Sequence, residues 1–221
     1  MGMSSLHSAL TTLTWVCILV FVAAWILGAI WFGLRSPGGG RSRPGGRRRA
    51  LVSRLALVLG IALVIRLTSG AGGGSGPGFG FGSGTGAGSG VWRHLTWWQP
   101  AVAVTGALLA VAATALLLWA RWTLGVMWTS VPTVQEHHEL VTTGPYRIVR
   151  HPIYTGLLAL ILGAMLAHGF GVWLVYFGLA VPWLLRRVRV EDRLMAGRFG
   201  ERYRAYRAEV PALLPYPRPG R

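Results

Sequence analysis

Apolar residues fall into five stretches that are separated by polar or glycine-rich segments. Two of them reach the length of about 20 residues that a membrane-spanning helix needs, and the last two are shorter and almost adjacent. We therefore predict an all-α integral membrane protein with about five transmembrane helices. The last two should form a short helical hairpin that either spans the bilayer or is partly re-entrant. The five stretches are residues 9–34, 50–67, 100–120, 153–167 and 170–185.

The chain becomes charged after residue 185 but keeps the spacing of a helix. Apolar side chains recur there at intervals of three or four, and arginines occupy the other faces. This pattern predicts a cytosolic interfacial helix that Gly200 weakens and Pro211 ends. A helix lying on the inner leaflet and a catalytic element fit the pattern equally well. The apolar side chains are Met195, Phe199, Tyr203, Tyr206 and Val210.

A glycine- and serine-rich segment, residues 68–90, lies between the second and third apolar stretches. Its composition predicts a flexible loop on the outer side of the membrane. Repeated Gly-x-Gly triplets occur in it, but no predicted strand precedes them and no amphipathic helix follows, so we do not interpret them as a dinucleotide-binding loop. Residues 216–221 are expected to form a short tail.

Of the 221 residues, 52% are hydrophobic and only 13% are charged, which suits a membrane protein better than a soluble domain. All 22 basic residues are arginines, and 20 of them fall on one side of the predicted membrane topology. The positive-inside bias of membrane proteins explains this distribution better than nucleic-acid binding does. We expect the N-terminus outside, the C-terminus in the cytoplasm and, from the arginine bias, a bacterial inner membrane.

A polar connector, residues 140–156, leads into the fourth apolar stretch. Pro152 stands where the helix should begin, because proline fits the first helical turn and disfavours a helical conformation at the preceding His151. We therefore expect His151 to be extended. The free N–H groups that follow Pro152 should form an anion site at the positive end of the helix dipole.

A second polar cluster, residues 136–139, precedes the connector and reads Glu-His-His-Glu. Histidine and glutamate ligate metals, but the two adjacent histidines lack the spacing of four that would place both on one helical face. A metal site is therefore disfavoured. A solvated interfacial loop remains possible, and a cofactor pocket shared with Tyr146, His151, Tyr154 and Glu191 is the interpretation that we favour.

Two groups of motifs flank the predicted hairpin. They are residues 144–146 (Gly-Pro-Tyr), 150–156 (Arg-His-Pro-x-Tyr-x-Gly), 187–192, 199–206 and 210–211 (Val-Pro). These motifs resemble those of the isoprenylcysteine carboxyl methyltransferases and the related phospholipid methyltransferases, and the resemblance covers about residues 131–215. It implies a single membrane methyltransferase domain over residues 1–215, with a cofactor-binding core over 131–215.

The resemblance also implies an S-adenosylmethionine cofactor that is held on the cytosolic side. Arg187 is the implied catalytic residue, facing the methyl acceptor. The residues that the resemblance places at the cofactor are Gln135, His138, Glu139, Leu140, Val141, Tyr146, His151, Pro152, Ile153, Tyr154 and Glu191.

The chemistry of these residues suits such a cofactor without reference to the family. Glu191 can bind either its ammonium group or its ribose hydroxyls, and the sequence leaves both open. Tyr146 and Tyr154 can stack on adenine or face the sulfonium through cation–π attraction. Arg187 can orient an acceptor carboxylate, although anchoring at the cytosolic membrane surface explains an arginine there equally well. A polar residue wetted by lipid headgroups is the simpler alternative for His151.

The leading hypothesis is therefore a membrane methyltransferase acting on a lipophilic acceptor from the bilayer: a carboxylate, such as that of a C-terminal isoprenylcysteine, or a lipid amine or thiol. Membrane lipids are its other expected partners, and the oligomeric state stays undetermined. A sterol-reductase-like enzyme using a nicotinamide cofactor shares the Arg-His-Pro-x-Tyr-x-Gly motif, but Leu157 stands where an acidic residue would follow. A non-catalytic scaffold that binds lipid is the third hypothesis.

Overall fold

The computed structural model of the chain describes residues 2–35, 95–125, 140–171 and 173–215. The chain divides into two compact units, Met1–Ala29 with His94–Arg221, and Ile30–Arg93. The helix packing and the candidate site lie within the first unit. Several predicted features lie outside the described residues: the second apolar stretch, the glycine-rich loop, the tail and the cluster at 136–139.

Helices account for nearly all of the described chain. An isolated bridge between Thr96 and Phe170 is the one strand-like pairing among these residues. The all-α class is thus confirmed for the described residues. The helices are α1 (Met3–Arg35), α2 (Pro100–Leu124), a short 3₁₀ helix η1 (Gly144–Arg147), α3 (Pro152–His168), α4 (Trp173–Phe199) and α5 (Glu201–Glu209).

Two helical segments are long and apolar enough to cross a membrane, Met3–Gly28 of α1 and α2. At a rise of about 1.5 Å per residue, the 25 residues of α2 exceed the roughly 30 Å hydrocarbon thickness of a bilayer. The apolar helix α3 has 17 residues and is shorter than that thickness. The first, third and fourth predicted stretches form helices. Helices α2 and α3 begin and end close to the predicted residues, whereas α1 begins at Met3 instead of residue 9.

Helices α2 and α3 run antiparallel and pack backbone against backbone. A Cβ atom at Gly106 would lie 2.7 Å from the Gly163 carbonyl oxygen, and one at Gly163 would lie 2.8 Å from the Ala110 nitrogen. At the other end of the pair, a Cβ at Gly156 would lie 2.6 Å from Leu117. Small residues at such contacts are how helices associate where no hydrophobic effect drives them together.

Helix α1 lies alongside α2 and runs in the same direction. Near its start the His7 ring packs edge-on against Trp98, with 5.0 Å between ring centroids. Cys17 is buried in the apolar core with residues of α2 and α3. Further along, Gly28 lies against the guanidinium of Arg121, at the C-terminal end of α2.

Helix α4 differs from the prediction, because the fifth apolar stretch and the charged segment after it form one continuous helix. A change from apolar to charged side chains alters the surroundings of a helix but not the backbone preference of its residues. The break comes at Gly200, whose φ of 53° is readily adopted without a Cβ atom. Gly200 therefore separates two helices, whereas the sequence predicted a weak point within one.

Candidate functional site

The structure agrees with the sequence prediction at Pro152, where α3 begins, but differs from it at His151. Pro152 occupies the start of α3, and no side chain caps that end. The first N–H groups of a helix have no partner inside it, so they are free to meet a ligand. His151 has φ −124° and ψ 61°, which is not the expected extended conformation. Its backbone N–H donates to the carbonyl of Ala212 at 3.0 Å, and this tertiary bond fixes the residue.

Three predicted site residues meet on the facing surfaces of α3 and α4, and we call them the open cluster: Tyr154, Arg187 and Glu191. The Tyr154 hydroxyl donates a short hydrogen bond to Glu191. The Nε atom of Arg187 lies 3.3 Å from both the Tyr154 hydroxyl and the Glu191 carboxylate. The side chains of Arg187 and Glu191 are 41% and 27% exposed, so a ligand can reach them.

Asp192, the neighbour of Glu191, accepts three hydrogen bonds in a second group that we call the buried cluster: Arg150, His151, Asp192 and Tyr203. Its carboxylate oxygens lie 3.0 Å from Arg150 Nη2, 2.9 Å from His151 Nε2 and 2.5 Å from the Tyr203 hydroxyl. The Asp192 side chain is only 9% exposed. The buried cluster therefore joins the connector, α4 and α5 through one carboxylate.

His151 links the two clusters through its two ring nitrogens. Nε2 faces Asp192, and Nδ1 lies 3.6 Å from the Glu191 carboxylate. The ring also stacks on Tyr154, with a centroid separation of 5.6 Å and an interplanar angle of 19°. Burial acts to lower the pKa of His151, but the hydrogen bonds with Asp192 and Glu191 outweigh it and raise that pKa. An imidazolium with both N–H groups facing carboxylates is the form that this geometry favours.

Both carboxylates stay ionised in this arrangement. Burial opposes the charge on Glu191 and on Asp192, yet the hydrogen bonds that each accepts lower the pKa of both groups, with His151 contributing most to each. The effect is larger for Asp192, whose pKa falls well below its usual range. Glu191 and Asp192 are thus charged at neutral pH, and each is paired with positively charged side chains.

Tyr146 is buried in η1, and its hydroxyl has no hydrogen-bond partner among the described residues. Its carbonyl oxygen accepts a hydrogen bond of 2.5 Å from the Tyr206 hydroxyl. Burial, together with the nearby Tyr206 and Glu191, raises the pKa of Tyr146, so its hydroxyl stays protonated. A buried donor without a partner is costly unless a ligand or water meets it.

The C-terminal segment, residues 210–213, is bound to the connector through its main-chain carbonyl groups. Besides the bond to His151, Arg150 N donates to the Pro211 carbonyl at 2.8 Å, and the Thr155 hydroxyl donates to the Leu213 carbonyl at 2.7 Å. Arg150 Nη1 also reaches the carbonyl of Val210 at 2.6 Å. Sequence reasoning did not find these roles for Arg150 and Thr155, because their partners lie some 60 positions along the chain.

The other residues predicted to bind the cofactor lie outside the two clusters. Leu140 and Val141 are half-buried at the start of the connector, and Pro152 is fully buried. The Ile153 side chain packs against the apolar core, so only its backbone N–H is available to a ligand. Gln135, His138 and Glu139 lie outside the described residues. Within the described part of the chain, no group of three or more histidine, cysteine or acidic side chains is arranged to hold a metal.

Comparison with known proteins shows which proteins this part of the chain is similar to. Residues 101–202 match the model of the phospholipid methyltransferase family. Part of the chain is also similar to several protein-S-isoprenylcysteine O-methyltransferases. The resemblance inferred from the sequence motifs is thereby confirmed. With two helices of spanning length, the family also supports an all-α protein associated with membranes.

Within the aligned segments, about a third of the residues are identical between this chain and individual relatives. Protein-S-isoprenylcysteine O-methyltransferase B of Arabidopsis thaliana is 32% identical over 83 residues, which are 37% of this chain and 42% of that protein. The Schizosaccharomyces pombe enzyme is 35% identical over 81 residues, 36% of this chain and 34% of its own. The cobalt-zinc-cadmium resistance protein CzcN of Cupriavidus metallidurans is 33% identical over 125 residues, 54% of this chain and 52% of its own. The alignments thus span about half or less of these relatives.

Proposed function

We propose that this protein is an S-adenosylmethionine-dependent membrane methyltransferase that acts on a lipophilic acceptor. The observation that carries the proposal is the open cluster, in which Tyr154, Arg187 and Glu191 converge beside the uncapped start of α3. The match of residues 101–202 to the phospholipid methyltransferase family model favours this function over the reductase and scaffold hypotheses.

The residues present fit the proposed cofactor, which supplies a methyl group on a positively charged sulfur. The N–H groups at the start of α3 suit its carboxylate, and the ionised Glu191 suits its ammonium group or ribose hydroxyls. The unpartnered Tyr146 hydroxyl adds a buried donor. We assign the rest of the cofactor site to Gln135, His138, Glu139, Leu140, Val141, His151, Pro152, Ile153 and Tyr154.

Arg187 is the residue that we assign to the acceptor. Its Nε atom is held by Tyr154 and Glu191, and the guanidinium is partly exposed, so the terminal N–H groups can meet a carboxylate side-on. A carboxylate is already ionised at neutral pH and needs no general base. The task of the site is then to align the acceptor with the methyl group and exclude water.

The protein names of several relatives support a lipidated acceptor, since they specify protein-S-isoprenylcysteine O-methylation. We propose a carboxylate of this lipophilic kind as the first substrate class, with a lipid amine or thiol as alternatives. Such an acceptor enters from the bilayer, beside the exposed apolar side chains of Leu179 and Trp183 on α4.

We propose five membrane crossings, with the N-terminus outside and the site in the cytoplasm of a bacterial inner membrane. The parallel course of α1 and α2 supports this topology, because two parallel spans require an odd number of crossings between them. The apolar residues 50–67 are the stretch that the sequence offers for that crossing. The short α3 and the apolar part of α4 would then form the last two crossings.

The test is transfer of a labelled methyl group from S-adenosylmethionine to membrane extracts and to a synthetic farnesylcysteine derivative. We expect labelled product from the wild-type protein, none from Glu191→Gln, and wild-type amounts from the matched control Glu201→Gln, which removes an exposed carboxylate outside the site. Binding of NADPH instead of S-adenosylmethionine would contradict the proposal and favour the reductase. Binding of neither would favour the scaffold.

A further inference from the structure

We propose that Asp192 is a positioning residue that holds His151 as an imidazolium between two carboxylates and thereby fixes Glu191 in the cofactor site. The inference deepens the proposed function, on which its cofactor readout rests. Asp192 itself does not face the ligand, because its side chain is buried and both oxygens are occupied by protein donors.

The geometry connects Asp192 to the open cluster through a single ring. His151 Nε2 lies 2.9 Å from Asp192, and Nδ1 on the opposite edge points to Glu191 at 3.6 Å. The ring stacks on Tyr154, and the bond to Ala212 fixes the backbone from which the ring extends. The direction of the Nδ1–H group is therefore set by the bond that Nε2–H makes with Asp192.

The negative charge of Asp192 contributes to the position of Glu191 as well as the hydrogen bond that it accepts from His151. With both ring nitrogens protonated, His151 donates to Asp192 and attracts Glu191. If the ring loses one proton and keeps the bond to Asp192, the Nδ1 lone pair faces the Glu191 carboxylate and repels it. Glu191 then turns away from the position in which Tyr154 and Arg187 hold it, and cofactor affinity falls.

The charged and titratable groups that surround His151 come from every element packed against it. Glu191 and Asp192 lie on α4, Tyr154 on α3, Tyr203 on α5 and Arg150 on the connector. The Arg150 guanidinium opposes a positive charge on His151, whereas the two carboxylates favour it. Because Arg150 is itself paired with the second oxygen of Asp192, loss of the Asp192 charge removes attraction and exposes His151 to that repulsion.

The experiment measures equilibrium binding of labelled S-adenosylmethionine to detergent-solubilised protein from about pH 5 to about pH 9. In the wild type, affinity should fall as pH rises through the raised pKa of His151. In Asp192→Asn the midpoint of this fall should move to lower pH by about one pH unit or more, because an opposite charge at hydrogen-bond distance is lost. The matched control Glu201→Gln, which removes an exposed carboxylate, should keep the wild-type midpoint.

A purely structural role predicts a different result, namely weaker binding of Asp192→Asn at every pH with an unchanged midpoint, and that outcome would overturn the proposal. If Asp192→Asn does not fold, His151→Gln provides the second test. It should bind more weakly and lose the part of the alkaline fall that His151 contributes, keeping only the part that comes from the ammonium group of the cofactor, which loses its proton near about pH 8 in every variant. A pH dependence identical to that of the wild type would contradict the inference.

Titration of isotopically labelled histidine in the ligand-free protein separates this inference from the proposed function. The signal that His151→Gln removes should titrate at a lower pH in Asp192→Asn than in the wild type. Failure of the wild type to bind S-adenosylmethionine would refute the proposed function alone. An unmoved His151 titration would refute the positioning role of Asp192, whatever the protein binds.

Discussion

Glu191 and Asp192 are adjacent carboxylates on one helix, yet they have opposite environments. Glu191 is partly exposed and contacts Tyr154 and Arg187, whereas Asp192 is buried and joins elements that are far apart in the sequence. Successive residues of a helix point about 100° apart, so one turns toward the ligand side and the other into the protein. The comparison shows that a pair of acidic residues can divide ligand binding and structural support between them.

Removing Asp192 should have the larger effect on stability. Asp192→Ala leaves Arg150 and His151 as buried cations without their acceptor, and breaking a buried pair in this way costs about 3–5 kcal/mol. We expect a large fall in the midpoint of thermal unfolding in detergent. An unfolding temperature equal to that of the wild type would show that the buried cluster does not support the fold.

Removing Glu191 should have the larger effect on ligand binding. Glu191→Ala is expected to lower affinity for S-adenosylmethionine at least about a hundredfold, as the loss of a charge-assisted partner worth about 3 kcal/mol implies. Its unfolding temperature should change much less than that of Asp192→Ala, because water can solvate the groups that it leaves. Calorimetry measures both the affinity and the unfolding temperature. Retained affinity would exclude Glu191 from the site.

Arg187 should affect turnover and leave cofactor binding nearly intact. Its terminal N–H groups are assigned to the acceptor, so Arg187→Ala should lower the rate of methyl transfer about tenfold or more, whereas Arg187→Lys should restore only part of it. Single-turnover assays at saturating S-adenosylmethionine measure this rate. Loss of cofactor affinity instead would reassign Arg187 to the cofactor side.

Tyr203 should give the smallest effect and test how much the α5 contact adds. Tyr203→Phe removes one hydrogen bond to Asp192 and leaves the Arg150 and His151 bonds in place. A hydrogen bond to a charged group contributes about 1.5 kcal/mol or somewhat more. We expect a modest fall in unfolding temperature, and a loss as large as that of Asp192→Ala would mean that α5 holds the buried cluster together.

The sequence predicted features that depend on local chemistry. Proline at the start of a helix places the beginning of α3 at Pro152, and apolar length gives α1 and α2. The family motifs predict that Tyr154, Arg187 and Glu191 belong to one site, and the three side chains are in contact in the structure. The roles of these residues toward a cofactor stay a prediction.

The buried cluster was not predicted. Its donors stand 42, 41 and 11 positions from Asp192 in the sequence, and no spacing rule relates them. The spacing of Tyr203 predicts only that its ring lies on the apolar face of a helix. The hydrogen bond from its hydroxyl to Asp192 cannot be predicted from that spacing. The conformation of His151 likewise depends on a bond to Ala212, which tertiary folding alone provides.

The central claim is that the donor of the methyl group binds where α3 begins, against Glu191. A structure determined with S-adenosylhomocysteine, the product form of the donor, tests it most directly. The account predicts its amino-acid or ribose group within hydrogen-bond distance of Glu191 and its carboxylate at the first N–H groups of α3. A ligand bound away from both, with Tyr154, Arg187 and Glu191 in contact only with one another, would contradict it.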